Sequence, residues 1–250
     1  MPRARRLVSA AVVAAFTVTG LGACRSEPDV AAYLPSGAIT VDQVQSVYDD
    51  ARDKLTAQAA ATAAQQGGDA ARPVTMPITG RDVLNTMVSR RVLGEVAKKH
   101  NVTVPGQLPL DQYAQRLGLP SDARYVRTYV EVQGLLYNLT QKVQPANPSD
   151  DDVREVFRRL QATGAMQPGL TAEQFSSGIS PEAKQTLASA VAVRNEVRQR
   201  VTDSDIRVNP RYEPAQIDVY TEQGPNGKPL PLVVVDLPDA SGPLPVTDVG

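Results

Sequence analysis

Residues 83–99 read Val83-Leu84-Asn85-Thr86-Met87-Val88-Ser89-Arg90-Arg91-Val92-Leu93-Gly94-Glu95-Val96-Ala97-Lys98-Lys99, and this stretch decides the fold. Leu84, Val88, Val92 and Val96 recur every fourth residue, flanked by Val83, Met87, Leu93 and Ala97. That spacing predicts a helix from Arg81 to about His100. Its apolar stripe is too wide for a surface helix, so other elements must cover it on more than one side. Lys98, Lys99 and His100 fall in the last turn, where donors and positive charge suit the carbonyl end. A helix of this kind needs helical neighbours, and the rest of the chain offers them.

On the N-terminal side, Val30–Leu34 reads as a short strand, Pro35-Ser36-Gly37 as a turn and Ala38-Ile39 as a returning strand. Thr40 and Gln43 have capping-box spacing and open a helix whose apolar positions are Val41, Val44, Tyr48, Ala51, Leu55 and Ala59. Asp49 and Asp50 fall largely off that stripe and read as solvated. Gly67-Gly68 is expected to stop the helix. On the C-terminal side, Asp111–Leu117 is a short helix stopped by Gly118, and Ser121 is expected to cap a longer one carrying Tyr125, Tyr129, Val132, Leu136 and Leu139. Ser149 caps the next helix, with Asp150, Asp151 and Asp152 in its first turn and Val153, Val156, Phe157 and Leu160 pointing inward. Residues 164–179 read as loop, with one turn near Glu173. Ser180-Pro181 opens a last helix marked by Leu187, Val191 and Val201. Ile206–Val208 is strand-like and is expected to pack with the N-terminal hairpin. Ile217–Tyr220 and Leu232–Val235 read as strands paired across a Gly224–Gly227 turn. The fold class is mainly α, with a small β element near the N-terminus and C-terminal strands.

The chain begins with a different kind of segment. Arg3, Arg5 and Arg6 precede an apolar run from Leu7 to Val18, which ends at Leu21-Gly22-Ala23-Cys24, the lone cysteine of 250 residues. A basic start, a run too short to span a bilayer and small residues before a cysteine resemble a bacterial lipoprotein signal. That resemblance implies cleavage before Cys24, lipid attachment at Cys24 and residence on the extracytoplasmic face of the cell membrane. The expected organisation is a signal over residues 1–23, a tether over 24–29, a helical domain over 30–208, an extended segment over 209–237 and a disordered tail over 238–250.

Composition narrows the chemistry. Removing the three signal arginines from 26 basic residues leaves 23 against 27 acidic ones, a net of −4. A nucleic-acid partner calls for a clustered basic face, which this balance does not favour. An acylated Cys24 leaves no thiol for a disulfide, nucleophile or metal site. A hydrolytic triad needs a histidine base, and His100, the sole histidine, sits where a helix cap belongs. The Asp150–Asp152 run lacks the spaced ligands and glycine of a calcium loop. The sequence implies no metal, ATP or other cofactor and no catalytic residues.

The order of a small hairpin, a capped helix, a loop and the Val83–Lys99 helix resembles the N-terminal domain of the SurA and PrsA family of envelope chaperones. Val30-Ala31-Ala32, Gly37, Ile39-Thr40 and the helix at Ser149–Leu160 carry the likeness further, over about Val30 to Val208, although Ser36 stands where the family has asparagine. The resemblance implies a helical domain that cradles unfolded or extended polypeptide. Many relatives insert a parvulin-type prolyl isomerase before the closing helix. About twenty residues separate Leu160 from Ser180, too few for such a domain, and the paired histidines of its active site are missing. The expected function is chaperone-like binding of exported polypeptide without isomerase activity; the alternative is a structural lipoprotein scaffolding one dedicated envelope partner.

The row of Tyr125, Tyr129 and Leu136 has two readings. Amphipathic rings can offer an adaptable surface to a client, and the same helical spacing is ordinary core. Met87 divides the same way, as a pliant groove residue or as core filler.

Overall fold

The computed structural model describes residues 29–66, 73–166, 169–225, 227 and 229–240. Cys24, the signal, nearly all of the tether, Gly67-Gly68 and the tail beyond Ala240 lie outside these residues.

The fold is mainly helical, with a small antiparallel sheet near the N-terminus and paired strands at the C-terminal end. Strand β1 (Val30–Tyr33) turns at Gly37, whose φ of 109° is open to glycine at low cost, and returns as β2 (Ile39–Thr40). Thr40 ends that strand and caps helix α1 (Val41–Gln65): Gln43 N–H donates to Thr40 Oγ1 at 3.1 Å, and Thr40 N–H donates to Gln43 Oε1 at 3.1 Å. Helix α2 (Gly80–Lys99) starts on a second capping box between Thr79 and Asp82 and ends at His100. Its stripe is buried as the sequence predicts, with Leu84, Val88, Val92 and Val96 at 3 % exposure or less.

Three further helices follow: α3 (Leu110–Leu117), ended by Gly118 at φ 64°, α4 (Arg124–Lys142) and α5 (Asp150–Ala162). Helix α4 packs mainly on α2, with Tyr125, Val132, Leu136 and Leu139 all buried. Ser149 and Asp152 form the capping box of α5. A short helix, α6 (Ala172–Gly178), occupies part of the region read from sequence as loop, started by a capping box between Thr171 and Gln174. Pro181 opens α7 (Pro181–Asp203), whose first turn donates Ala183 N–H to Ser180 Oγ.

Strand β3 (Arg207–Val208) pairs antiparallel with β1, so the start and end of the helical array share one three-stranded sheet of order β2-β1-β3, the packing the sequence led us to expect. Asn209, buried at 7 % exposure, fastens this junction: its Nδ2 donates to Val30 O at 2.9 Å and its N–H to Ala31 O at 2.9 Å. Strands β4 (Gln216–Gln223) and β5 (Pro229–Asp236) then form a hairpin.

This hairpin is not an appendage. Every residue of Leu232–Val235 is buried, so both faces of β5 are covered, and the strand contacts both α5 and α7. Strand β4 packs on α2 and α7. Ile217, Val219, Leu232, Val233 and Val235 belong to the same cluster of buried residues as the apolar faces of the helices. Residues 238–240, expected to belong to the tail, are tied to β3: Val208 N–H donates to Pro238 O, and Ala240 N–H to Val208 O at 2.8 Å.

One helix start differs from its sequence reading. Ser121 does not cap α4; the N-cap position is Ala123, whose side chain has nothing to offer. The missing acceptor comes from α1, where Asp50 Oδ2 takes the Arg124 N–H at 2.8 Å. Lys54 stands 3.4 Å from Asp50 and donates to Asp122 O at 2.6 Å. Asp50 is thus a cap delivered across the helix interface rather than a solvated charge. Burial pushes its pKa up, but the Arg124 backbone donor and Lys54 outweigh that and hold it below the ordinary carboxylate value.

Candidate functional site

Two concavities meet at helix α3. The first is an open groove of about 1050 Å³ between the second half of α1 and the α3–α4 turn. Its α1 wall is Leu55, Ala59 and Ala63; across from them stand Ala114, Leu119 and Pro120. Beyond Leu55 no residue of α1 through Gln66 is buried, so the helix continues past the core and presents a small-residue face. A helix end that buries nothing owes its order to local propensity, and the alanine run supplies it.

The second is a cleft of about 620 Å³ between α2, α3, α4 and the β4–β5 hairpin, ending in an inner recess of about 70 Å³. Gln115 and Gly118 line both groove and cleft, so the two lie side by side across the end of α3. The recess floor is polar. Gln216 N–H reaches Asn85 Oδ1 at 3.4 Å, and Gln216 Nε2 donates to Asp218 Oδ1 at 2.5 Å. Thr86 Oγ1 stands 3.5 Å from the Tyr125 hydroxyl, the outer limit of a hydrogen bond. Asp82 spends its Oδ2 on the Thr79 cap.

Tyrosines form one wall. The Tyr125 and Tyr129 rings lie 6.1 Å apart and the Tyr129 and Tyr113 rings 6.0 Å apart, with Arg116 5.6 Å over the Tyr113 ring. Burial pushes the Tyr125 hydroxyl well above its usual value and Tyr129 up to about 12, so both stay protonated. Burial likewise raises the Asp218 carboxyl; Gln216 and Arg159 pull the other way, and Asp82 adds to the rise. The cleft presents protonated phenols, amides, the carboxyls of Asp82 and Asp218 and the guanidinium groups of Arg81 and Arg116.

The residues singled out from the sequence part company here. Tyr125 and Tyr129 share the cleft, but Tyr125 is 4 % exposed and Leu136 is 6 % exposed, so both are core residues whose faces are already covered. Met87 is partly buried against the same core. The exposed large apolar side chain of α4 is Tyr137, at 67 %. His100 caps α2 as expected; its Nε2 lies 3.5 Å from Glu196 Oε2, an oxygen that also takes Lys99 Nζ at 2.7 Å. At about 1.5 Å of rise per residue, His100 is about 27 Å along α2 from Asp82, out of reach of the cleft. Asp152 serves its own helix cap and pairs with Arg194 of α7. Among the described residues no three His, Cys, Asp or Glu side chains converge as a metal-ligand set, and no helix is long and apolar enough to cross a membrane.

Sequence reasoning did not find Asp218. An isolated acid in an alternating strand carries no local signal, and its place beside two tyrosines depends on how the hairpin docks. Nor did it find the groove, because the alanines after Leu55 read as the weak end of a buried stripe.

Compared with protein-family models, curated proteins and solved structures, the chain matches none.

Proposed function

We propose that this chain is a lipid-anchored extracytoplasmic protein that holds extended or unfolded polypeptide, without prolyl isomerase activity. The anchor rests on the sequence ending at Cys24, whose acylation would tether the domain through residues 25–29. Acyl chains at about 0.8 kcal/mol per buried methylene give such a tether its strength, and two or more chains make it stable. The observation that carries the binding role is the open groove along α1, adjacent at Gly118 to the polar cleft. An extended chain is long, narrow and rich in backbone donors and acceptors, which suits a shallow trough of alanine and leucine leading to amides and hydroxyls. The resemblance to the SurA and PrsA family supports the same reading. The short α5–α7 connection, with one seven-residue helix, leaves no room for an inserted isomerase.

The test uses the mature chain with Cys24→Ser, added to several unrelated aggregating proteins while light scattering is recorded. Suppression across clients is expected, and Ala59→Arg with Ala63→Arg, both on the unburied half of α1, is expected to abolish it without changing the melting temperature. A folded protein that suppresses no client sinks the proposal. Metabolic labelling with an alkyne palmitate should be lost in Cys24→Ser; persistent labelling would exclude that residue as the anchor.

One observation favours the second reading, a scaffold for a single envelope partner. The hairpin and α7 cover the helical faces that a broad client cradle would leave open. One stoichiometric partner in an in-cell crosslinking experiment, with no suppression of aggregation, would select it.

A further inference from the structure

The inner recess has a composition distinct from the cleft that leads to it. Asp82 and Asp218 line it together with Tyr125, Tyr129 and Gln133, and among the described residues no lysine or arginine does. Both arginines of the site, Arg81 and Arg116, stand in the outer cleft. The basic group whose charge bears on Asp218 is Arg159 of α5, and its Nε is committed to Glu155 at 2.7 Å. The hydroxyl of Tyr125, a side chain 4 % exposed, has a long approach of 3.5 Å from Thr86 Oγ1. A volume of about 70 Å³ admits a small head group but no ring or chain.

We propose that this recess is a pocket for one alkylammonium or guanidinium head, presented by a basic side chain of the polypeptide held in the adjoining groove. The inference rests on the binding role proposed above and gives it a sequence preference. The head meets the carboxylate oxygens of Asp218 and Asp82, the amide oxygens of Asn85 and Gln133, and the ring of Tyr129, an arrangement that suits a cation. The methylene stem runs out past Pro229 and Pro231 of the hairpin. At the mouth, Arg81 and Arg116 donate to backbone carbonyls of the same chain. The two arginines also repel a second positive charge, so the site takes an isolated basic residue in preference to a polycation.

The experiment titrates labelled nonapeptides into the full mature chain with Cys24→Ser, followed by fluorescence anisotropy. The peptides share an apolar Leu/Ala/Val background and differ at the centre: lysine, arginine, norleucine or glutamine. Lysine and arginine peptides should bind roughly tenfold tighter than norleucine, the scale of one charge-assisted contact. Asp218→Asn, nearly isosteric and able to keep the Gln216 hydrogen bond, should erase that preference and leave norleucine binding unchanged. Gln133→Lys, which places a cation in the recess from the partly exposed side of α4, should do the same and serves if Asp218→Asn fails to fold. Equal affinities for all four peptides overturn the recess while leaving groove binding intact. If no peptide binds, the proposed function falls and the recess is judged alone: n-butylammonium should still shift the NMR resonances of Tyr129 and Gln216, and no shift overturns it. Spermidine binding more tightly than the lysine peptide would assign the pocket to a free polyamine and overturn the polypeptide source.

Discussion

Gly134 and Gly94 both lie inside long helices, α4 and α2, and replacing each by alanine should move stability in opposite directions. In an exposed helix interior the change gains about 1 kcal/mol, because alanine loses less backbone entropy on folding. Space decides the sign. A Cβ on Gly134 would stand 2.6 Å from Pro105 Cδ and 2.9 Å from its Cγ. Carbon atoms in contact sit about 3.5–4.0 Å apart, so the overlap is close to an ångström. The proline ring is closed on its own backbone and cannot rotate aside. Relief requires moving the segment after α2, which is held by Val102 N–H to Ala97 O at 2.8 Å and Asn138 Nδ2 to Thr103 O at 3.0 Å. Overpacking of this kind costs about 1–3 kcal/mol. A Cβ on Gly94 instead meets Arg90 Nη1 at 3.1 Å, the far end of a flexible side chain. Gly94→Ala should therefore stabilise by about 0.5–1 kcal/mol, and Gly134→Ala should destabilise by about 1 kcal/mol net, each read as a melting shift of about 2–4 °C per kcal/mol. Urea unfolding of the two single variants and of Gly134→Ala with Pro105→Ala is the assay, and the second change should restore the first. Gly134→Ala proving as stable as Gly94→Ala, or indifferent to Pro105→Ala, would refute the packing argument.

Asp50→Ala removes the acceptor that caps α4 from α1 and should cost about 1–2 kcal/mol by urea midpoint, while Asp49→Ala stays within about 0.5 kcal/mol; equal effects would deny the cap. Asp152 is pushed up by burial but held below the ordinary value of 3.8 by Arg194 and Ser149, so its carboxylate stabilises the fold at neutral pH. That contribution is lost as pH falls from about 3.8 through the lowered folded value, so the gap between the parent and Asp152→Asn should close in acid; a gap independent of pH counts against it. Asp218 has the opposite sign. Its raised carboxyl makes the native state bind more protons than the unfolded chain, so a destabilising contribution grows as pH climbs above 3.8. Asp218→Asn should raise the melting temperature at neutral pH and lose that advantage in acid; a variant less stable at neutral pH would show that the carboxylate is needed for the fold.

Local chemistry was legible and long-range delivery was not. The capping box at Thr40 and the N-cap at Ser149 depend on groups three residues apart, and both helices start where the sequence put them, Ser149 completing a box with Asp152. The same spacing at Thr171 and Gln174 marks α6, which the sequence reading of residues 164–179 reduced to one turn near Glu173. The start of α4 could not be read locally, because its cap sits 74 residues upstream on another helix. The stripe of α2 announced burial on several sides without saying which elements cover it; α4, α7, α1 and β4 do so. The apolar run Leu232–Val235 was legible as a strand, and it is unbroken because both faces of β5 are covered. Tyr125 and Tyr129 lie one turn apart on the same row, yet one is core and the other half-open. The difference comes from where the hairpin docks, which helical periodicity does not encode.

The position of the hairpin also decides which surface is free to bind. A cradle made of α2 and α4 would expose Leu84, Val88, Leu135 and Leu139, all buried to the point of negligible exposure. A chain with no tryptophan and few phenylalanines builds its core from many small contributions, each Val or Leu worth about 1.5–3 kcal/mol when fully buried. Uncovering four of them to admit a client would cost about 6–12 kcal/mol, comparable with the whole stability of a domain. Binding that requires α2 and α4 to part and expose these faces therefore carries a cost on that scale. The unburied half of α1 carries no such cost: its alanines already face solvent, the groove beside it is open, and the cleft beyond Gly118 needs only side-chain movement to receive an occupant. Any peptide-binding role must run along that path rather than through the helical core that the family resemblance first brings to mind.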